Sequence, residues 1–333
     1  MMRLTLKWLL VFVLICRPAI GAEASLVERA QKGEASAQFD LGFMYARGQG
    51  VTKDIGEAAR WIRKAAEQGY PSAQFNLAAM YANGDGVSKD SAEAVRWYRK
   101  CAEQGYVRAQ FNLGVMYADG SGVLKDSVEA IKWYRRSAEQ GHAPAQYNLG
   151  VMYAAGDGVP KNNVEAAKWY RQAAEQGYAP AQYNLGVVSA TGAGVRKDSA
   201  EAIKWYRKAA ELSDARAAFN LGVMYADGDG VPKNGIEAVK WYREAAGHGD
   251  ARAISNLGIM YATGDGVPKD EVEGLAWINI AAASGIEAVV KNRAAMEVRV
   301  GREMTLIAQK RSKEILQEIA AANRASIPSI PKE

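Results

Sequence analysis

Histidine and cysteine, from which many metal centres and nucleophilic sites are built, number only two each in this chain of 333 residues. Cys16 lies in a leader-like stretch, so Cys101 is the one thiol of the remaining chain, and a disulfide framework is excluded. Cys101 stands where the other repeats described below carry Ala65, Ser137, Ala173, Ala209, Ala245 and Ala281, so it reads as a small core filler. His142 and His248 lie about a hundred residues apart at equivalent inter-repeat positions. They are expected to be exposed turn residues, too distant in an extended array to share a metal or a catalytic step.

Membrane-spanning runs are missing too. Trp8 to Ile15 is apolar without interruption, but it is about half of the roughly 20 residues a spanning helix needs. Arg3 and Lys7 precede it, and Ala22-Glu23-Ala24 follows as a small-x-small pattern, so residues 1–24 are expected to be a cleaved secretory signal peptide. Lipid attachment at Cys16 is disfavoured, because bulky Ile15 stands where a small residue is usual. Excess charge of one sign is absent: the net charge of +5 falls to about +3 once Arg3, Lys7, Arg17 and Glu23 are removed. The basic residues recur at fixed places in each repeat, which reads as a solvated helix face in preference to a nucleic-acid surface.

What the sequence does have is a period. Trp61, Trp97, Trp133, Trp169, Trp205, Trp241 and Trp277 follow one another at 36-residue steps, and Leu41 to Leu257 keep the same step. Seven copies of one unit result, Glu34–Gly69 through Asp250–Gly285. In the second copy Ala73, Leu77, Met80 and Tyr81 fall on one face of a first helix, and Gly84-Asp85-Gly86 ends it. Asp90 with Glu93 forms a capping box for a second helix whose inner side is Ala94, Trp97, Cys101 and Ala102. Every copy repeats that cap: Asp54, Asp90, Asp126, Asn162, Asp198, Asn234 and Asp270 each have glutamate three residues on, and the spacing accounts for the glutamate structurally. No single pair buries Leu, Tyr and Trp alone, so the pairs must stack.

The string Ala-Gln-Phe-Asn-Leu-Gly-Val-Met-Tyr-Ala-Asp-Gly-Ser-Gly-Val at 109–123, closing with Trp133 and Ser137 to Gly141, resembles a Sel1-like repeat, a relative of the tetratricopeptide repeat. The resemblance runs over residues 34–285. It implies an all-α, right-handed superhelical α/α solenoid and an adaptor role. Around it the chain divides into a signal peptide (1–24), an N-terminal half-repeat cap (25–33) and C-terminal capping helices with a tail (286–333), in which Glu303 to Ala322 is an amphipathic helix.

Two columns on the first helix are candidates for partner binding. Phe39, Phe75, Phe111, Tyr147, Tyr183 and Phe219 form one; Asp40, Asn76, Asn112, Asn148, Asn184, Asn220 and Asn256 form the next. Phe75 and Phe111 lie opposite the leucine, so they face either the neighbouring repeat or the concave groove. In tetratricopeptide repeats, which this pattern resembles, the position before the Leu-Gly pair faces the groove. An asparagine there offers a donor and an acceptor to an extended peptide, and adjacent rings offer apolar burial. The alternative is that amides and rings pack within the solenoid.

Enzymatic chemistry has little footing. The Gly-x-Gly-Val loops lack the strand before and the lysine-serine or lysine-threonine pair after that a phosphate cradle has. Asp85, Asp157, Asp229 and Asp265 are lone carboxylates, too few for calcium. A hydrolase or binding protein for cell wall or β-lactams is the rival reading, but family members associated with such compounds carry a cysteine pair per repeat, which this chain lacks. A membrane-anchored endoplasmic reticulum adaptor would need a second hydrophobic span. The expectation is a non-enzymatic exported bacterial scaffold, periplasmic or secreted, with a protein or peptide partner and no cofactor or metal. The fifth repeat departs from the pattern at Val188-Ser189, Ala193 and Leu212-Ser213, which predicts a looser interface between repeats five and six.

Overall fold

A computed structural model of the chain describes residues 20–325. The expected leader lies outside the described residues as far as residue 19, and residues 20–24 belong to the first helix, α1 (Ile20–Gln31). All regular structure among the described residues is helical, and the helices fall into two compact units that meet in sequence at Lys161 and Asn162.

In the first unit, α1 is followed by α2 (Ala35–Arg47), α3 (Ile55–Glu67), α4 (Pro71–Asn83), α5 (Ser91–Glu103), α6 (Val107–Asp119), α7 (Ser127–Glu139) and α8 (Ala143–Ala155). Each packs on the next, as an α/α solenoid requires. The second unit continues with α9 (Asn163–Glu175), α10 (Ala179–Thr191), α11 (Ser199–Glu211), α12 (Ala215–Asp227), α13 (Gly235–Gly247), α14 (Ala251–Thr263), α15 (Glu271–Ala282) and α16 (Glu287–Ala325), packed in the same manner. α16 is broken at Gly301, and its second half covers the last pair: Ala308, Ser312 and Ile315 are buried, Ser312 Oγ donates to Ala276 O at 2.9 Å, and Arg311 pairs with Glu273 at 2.8 Å.

The leucines from Leu41 to Leu257 are at most 2% exposed, so the 36-residue column is the core seam. Tyr98 is also fully buried, and the tyrosine following each central tryptophan enters the core beside the residues the periodicity picks out. Two glycines shape each loop for different reasons. Gly120 closes α6 in the left-handed region (φ 77°), its N–H donating to Met116 O at 2.9 Å. Gly122 is needed for space as well: a Cβ there would lie 2.2 Å from the Ser91 carbonyl at the start of the previous repeat's second helix.

The cap differs from the sequence expectation in one respect. Asp126 Oδ1 accepts from Glu129 N at 2.9 Å, but the Asp126 N–H is already used, donating to Tyr117 O at 2.9 Å. The glutamate therefore does not complete the box, and its spacing to the cap is not its whole explanation. Glu129 instead pairs with Lys132 at 2.8 Å and accepts from Trp133 Nε1 at 3.1 Å, holding the tryptophan in place.

A glutamine ladder joins successive repeats. Gln110, 4% exposed, donates to Ala102 O at 3.1 Å and accepts from Gln140 Nε2 at 2.8 Å. Gln38 and Gln74 do the same, and α1 supplies the carbonyl, Ala30 O, that Gln38 needs. Satisfying these buried groups fixes the offset of one repeat on the next.

Candidate partner-binding face

The rings of the predicted aromatic column are half-buried, and Phe75 and Phe111 are each set against their own repeat's second helix and the residue that opens the next repeat. Phe75 lies 5.6 Å from Tyr98 and 5.3 Å from Tyr106; Phe111 lies 5.9 Å from Tyr134 and 4.9 Å from His142. Tyr183 and Phe219 meet Tyr206 and Tyr242, each at 6.0 Å. There the following repeat opens with Asp214 or Asp250 in place of an aromatic residue, and Arg216 and Arg252 cover the rings at 4.1 Å. Tyr147 is half-buried as well. Neighbour packing thus uses part of each ring.

The amide column sits beside it. Asn112 is buried, and Asn76, Asn148, Asn184, Asn220 and Asn256 are half-buried. Asn76 Nδ2 donates to Ser72 O at 2.7 Å. Burial pushes the phenols of Tyr98, Tyr134 and Tyr242 up and that of Tyr206 to about 12, while Asn112, Asn148, Asn256 and Asn220 respectively offset part of this. Each of these amides therefore faces the preceding repeat's second helix with some of its polar capacity. A third column, Phe43, Ala79, Val115, Val151, Val187, Val223 and Ile259, is the most open: Val151 is 37% and Ile259 42% exposed.

The second helices present a different surface. Arg63, Arg135 and Arg207 donate to Tyr81, Tyr153 and Tyr225 at 2.5, 2.5 and 2.7 Å, and Arg99 bonds Tyr117 in the same way. Lys64, Lys100, Arg136 and Lys208 lie over Trp61, Trp97, Trp133 and Trp205 at 4.1 to 4.6 Å. The Arg–Tyr partners are 18 residues apart, a spacing that recurs in the sequence but identifies a contact only after the helices are paired.

The two histidines are not equivalent. His142 precedes α8 and is half-buried against Phe111, whereas His248 caps the C-terminus of α13 and pairs with Glu244 at 3.4 Å. The expectation of an exposed turn therefore fails for His142, because the N-cap residue of this repeat packs against a ring of the aromatic column, Phe111. Cys101 is fully buried, its Sγ 3.2 Å from Pro71 O, as a core filler. Of the loop acids, Asp265 pairs with Lys233 at 3.4 Å. Among the described residues no group of three or more His, Cys, Asp and Glu is placed to hold a metal ion, and no helix is long and apolar enough to cross a membrane.

Stacked helix pairs with recurrent surface columns and two-glycine loops define an α/α repeat protein. The Sel1 repeat model matches residues 35–70, 71–106, 107–142, 143–178, 179–214, 215–250 and 251–286, so the chain belongs to the Sel1 repeat family. A protective antigen present in uropathogenic Escherichia coli strains, displaying an SLR fold, is 35% identical with a TM-score of 0.67, the likeness covering 90% of this chain and 72% of that one. A Sel1 repeat protein from Oxalobacter formigenes is also 35% identical with a TM-score of 0.67, over 81% of this chain and 78% of that one. The secretory immunoglobulin A-binding protein EsiB of Escherichia coli is 41% identical over 56 residues, 16% of this chain and 11% of that protein, so the match spans about a tenth of this curated relative.

Proposed function

We propose that the protein is an exported bacterial scaffold that binds a protein or peptide partner along the first-helix face of its repeats, the concave side in solenoids of this type, without a cofactor. Export rests on the charged, apolar and small-residue order of residues 1–24. Binding rests above all on the mainly aliphatic third column, exposed at Val151 (37%) and Ile259 (42%), with rings beside it in the first six repeats and amides beside it from the second repeat to the seventh. Side chains with no packing partner on one side are available for apolar burial, and the amide edges left over from the tyrosine contacts supply direction. The surface suits an extended segment that contacts several repeats, each contributing modestly.

The test is affinity capture from an envelope extract, with purified secretory immunoglobulin A assayed separately because the EsiB relative is named for binding it. Two variants accompany the parent chain: Val151→Asp, and the triple Asn112→Ala, Asn148→Ala, Asn184→Ala. A specific partner lost by both variants, with helical content unchanged, supports the reading. Capture of the same partners by all three chains overturns it.

A further inference from the structure

We propose that the outer, second-helix surface of the first unit carries a separate docking notch for an acidic peptide segment that bears an apolar side chain. The notch, about 300 Å³, lies between the start of α7 and the Gly158–Val159 loop of the following repeat. Its walls are apolar: Val128 is 53% exposed, Ile131 lies beneath, and Val159 closes the far side. Gly158 adds no side chain, because a Cβ there would stand 2.6 Å from the Ser127 carbonyl, so the loop backbone abuts the helix. Leu124 does not line the notch, but it precedes Val128 by four residues in the chain and is 90% exposed.

The solenoid does not require apolar side chains at these two positions. Gly56, Ala92 and Ala200 replace Val128 in other repeats, and Thr52, Ser88 and Pro160 replace Leu124. Leucine and valine in water at a site that tolerates glycine and serine point to something that covers them.

The charge on the rim says what that is. Lys132 is neutralised by Glu129, but Arg135 is held by the Tyr153 hydroxyl at 2.5 Å and Arg136 lies 4.6 Å over the Trp133 ring. No carboxylate lies within ion-pairing distance of Arg135 or Arg136 among the described residues. Phenol and indole fix the two guanidiniums in direction and leave their charge available, which lowers the ordering cost of binding a carboxylate. Glu139 is the acid on this rim and sets a limit on how acidic the ligand is near the C-terminus of α7. The second unit repeats the apolar wall but not the full charge: a notch of about 390 Å³ has Ile236, 70% exposed, on its wall and Arg243 bonded to Tyr261, while Lys240 pairs with Glu237 at 3.8 Å and Glu244 stands in the place of Arg136. A free anion would use the cations and ignore the apolar wall, whereas an acidic segment with an apolar residue uses both.

The probe is a fluorescein-labelled synthetic peptide of alternating glutamate and serine around a central Leu-Phe pair, followed by anisotropy on the full chain at low salt. Two further peptides replace either the glutamates by glutamine or the Leu-Phe pair by serine. The expected result is binding of the first peptide, weakened about tenfold by Leu124→Glu with Val128→Glu and by Arg135→Gln with Arg136→Gln. Both control peptides bind correspondingly less, and thermal melts confirm that the variants fold. Absence of binding, equal binding of the peptide without Leu-Phe, or indifference to the Leu124 and Val128 substitutions overturns the proposal. So does displacement by heparin or anionic vesicles that is insensitive to those substitutions, which assigns the surface to charge alone. Running the asparagine triple variant in parallel separates this notch from the first-helix face, because the notch is expected to keep its affinity.

Discussion

Arg171 pairs with Glu201 at 2.9 Å, a contact between second helices of successive repeats. Its counterparts Arg63, Arg99, Arg135, Arg207 and Arg243 bond a tyrosine 18 residues on, but Ser189 stands at that place for Arg171. The guanidinium instead bonds a carboxylate held low chiefly by the Trp205 indole. Ser189 Oγ is left buried without a hydrogen-bond partner. Gln182 Oε1 is left likewise, because Leu212 replaces the glutamine whose amide bonds it elsewhere, and Ser213 takes the left-handed backbone (φ 64°) of the usual glycine. Three costs gather in repeat five, where the sequence departs from the pattern.

Repairing that repeat should stabilise the chain. Leu212→Gln with Ser213→Gly supplies a donor to Gln182 and removes a non-glycine residue from left-handed backbone. A gain of about 1–2 kcal/mol is expected. Urea unfolding measures it, and hydrogen exchange in α11 and α12 shows whether the gain is local. No slowing of exchange there would contradict the assignment of the defect.

Glycines of similar φ should differ sharply on substitution. Gly105→Ala meets nothing within 4 Å and is expected to cost about 1 kcal/mol for its φ of 88°. Gly122→Ala adds a clash with the rigid Ser91 carbonyl and is expected to cost about 3 kcal/mol. Parallel melts of the two variants test the order.

His142 makes stability depend on pH in a stated direction. Burial, and secondarily the Arg108 guanidinium, lower its pKa from 6.5, and Nδ1 is buried without a partner. The unfolded chain therefore binds the proton more readily, so this contribution is complete above the unfolded value and is lost as pH falls through it toward the lower folded value. His142→Tyr, the residue at Tyr70, Tyr106 and Tyr178, should flatten the stability profile below about pH 6.5 relative to the parent. Parallel profiles for the two chains would refute it.

Cys101 should be inert while the chain is folded. Burial pushes its thiol up to about 12, so almost no thiolate forms near neutral pH. In a Cys16→Ser background, an aromatic disulfide reagent should react only on unfolding. Cys101→Ala should cost less than about 1 kcal/mol, since Ala65 and Ala173 hold the same place. Rapid labelling of the folded chain would show that the site opens.

Much of the architecture was legible because each 36-residue step repeats the same demands. The leucine seam, the caps and the glycine loops each announce themselves through residue type, since only certain side chains bury fully, cap a helix or adopt positive φ. The candidate face was less legible. Phe111 and Asn112 were visible as columns, yet how much of each is used by Tyr134, His142 and Tyr98 depends on contacts across repeats. The burial of His142 is not legible in sequence, because it depends on the Phe111 ring brought against it by packing. The glutamine ladder and the Arg–Tyr bonds were present as periodic letters without a partner assignment.

Periodicity alone determined the helix pairs, their order and the residues of the seam, because those follow from local backbone preference and from the need of each amphipathic pair to be covered. Only the tertiary structure decided which polar groups complete one another between repeats, where Arg171 turns when tyrosine is missing, and that Leu124 and Val128 remain in water. These depend on distances between helices, and a linear pattern contains no such distances until packing sets them.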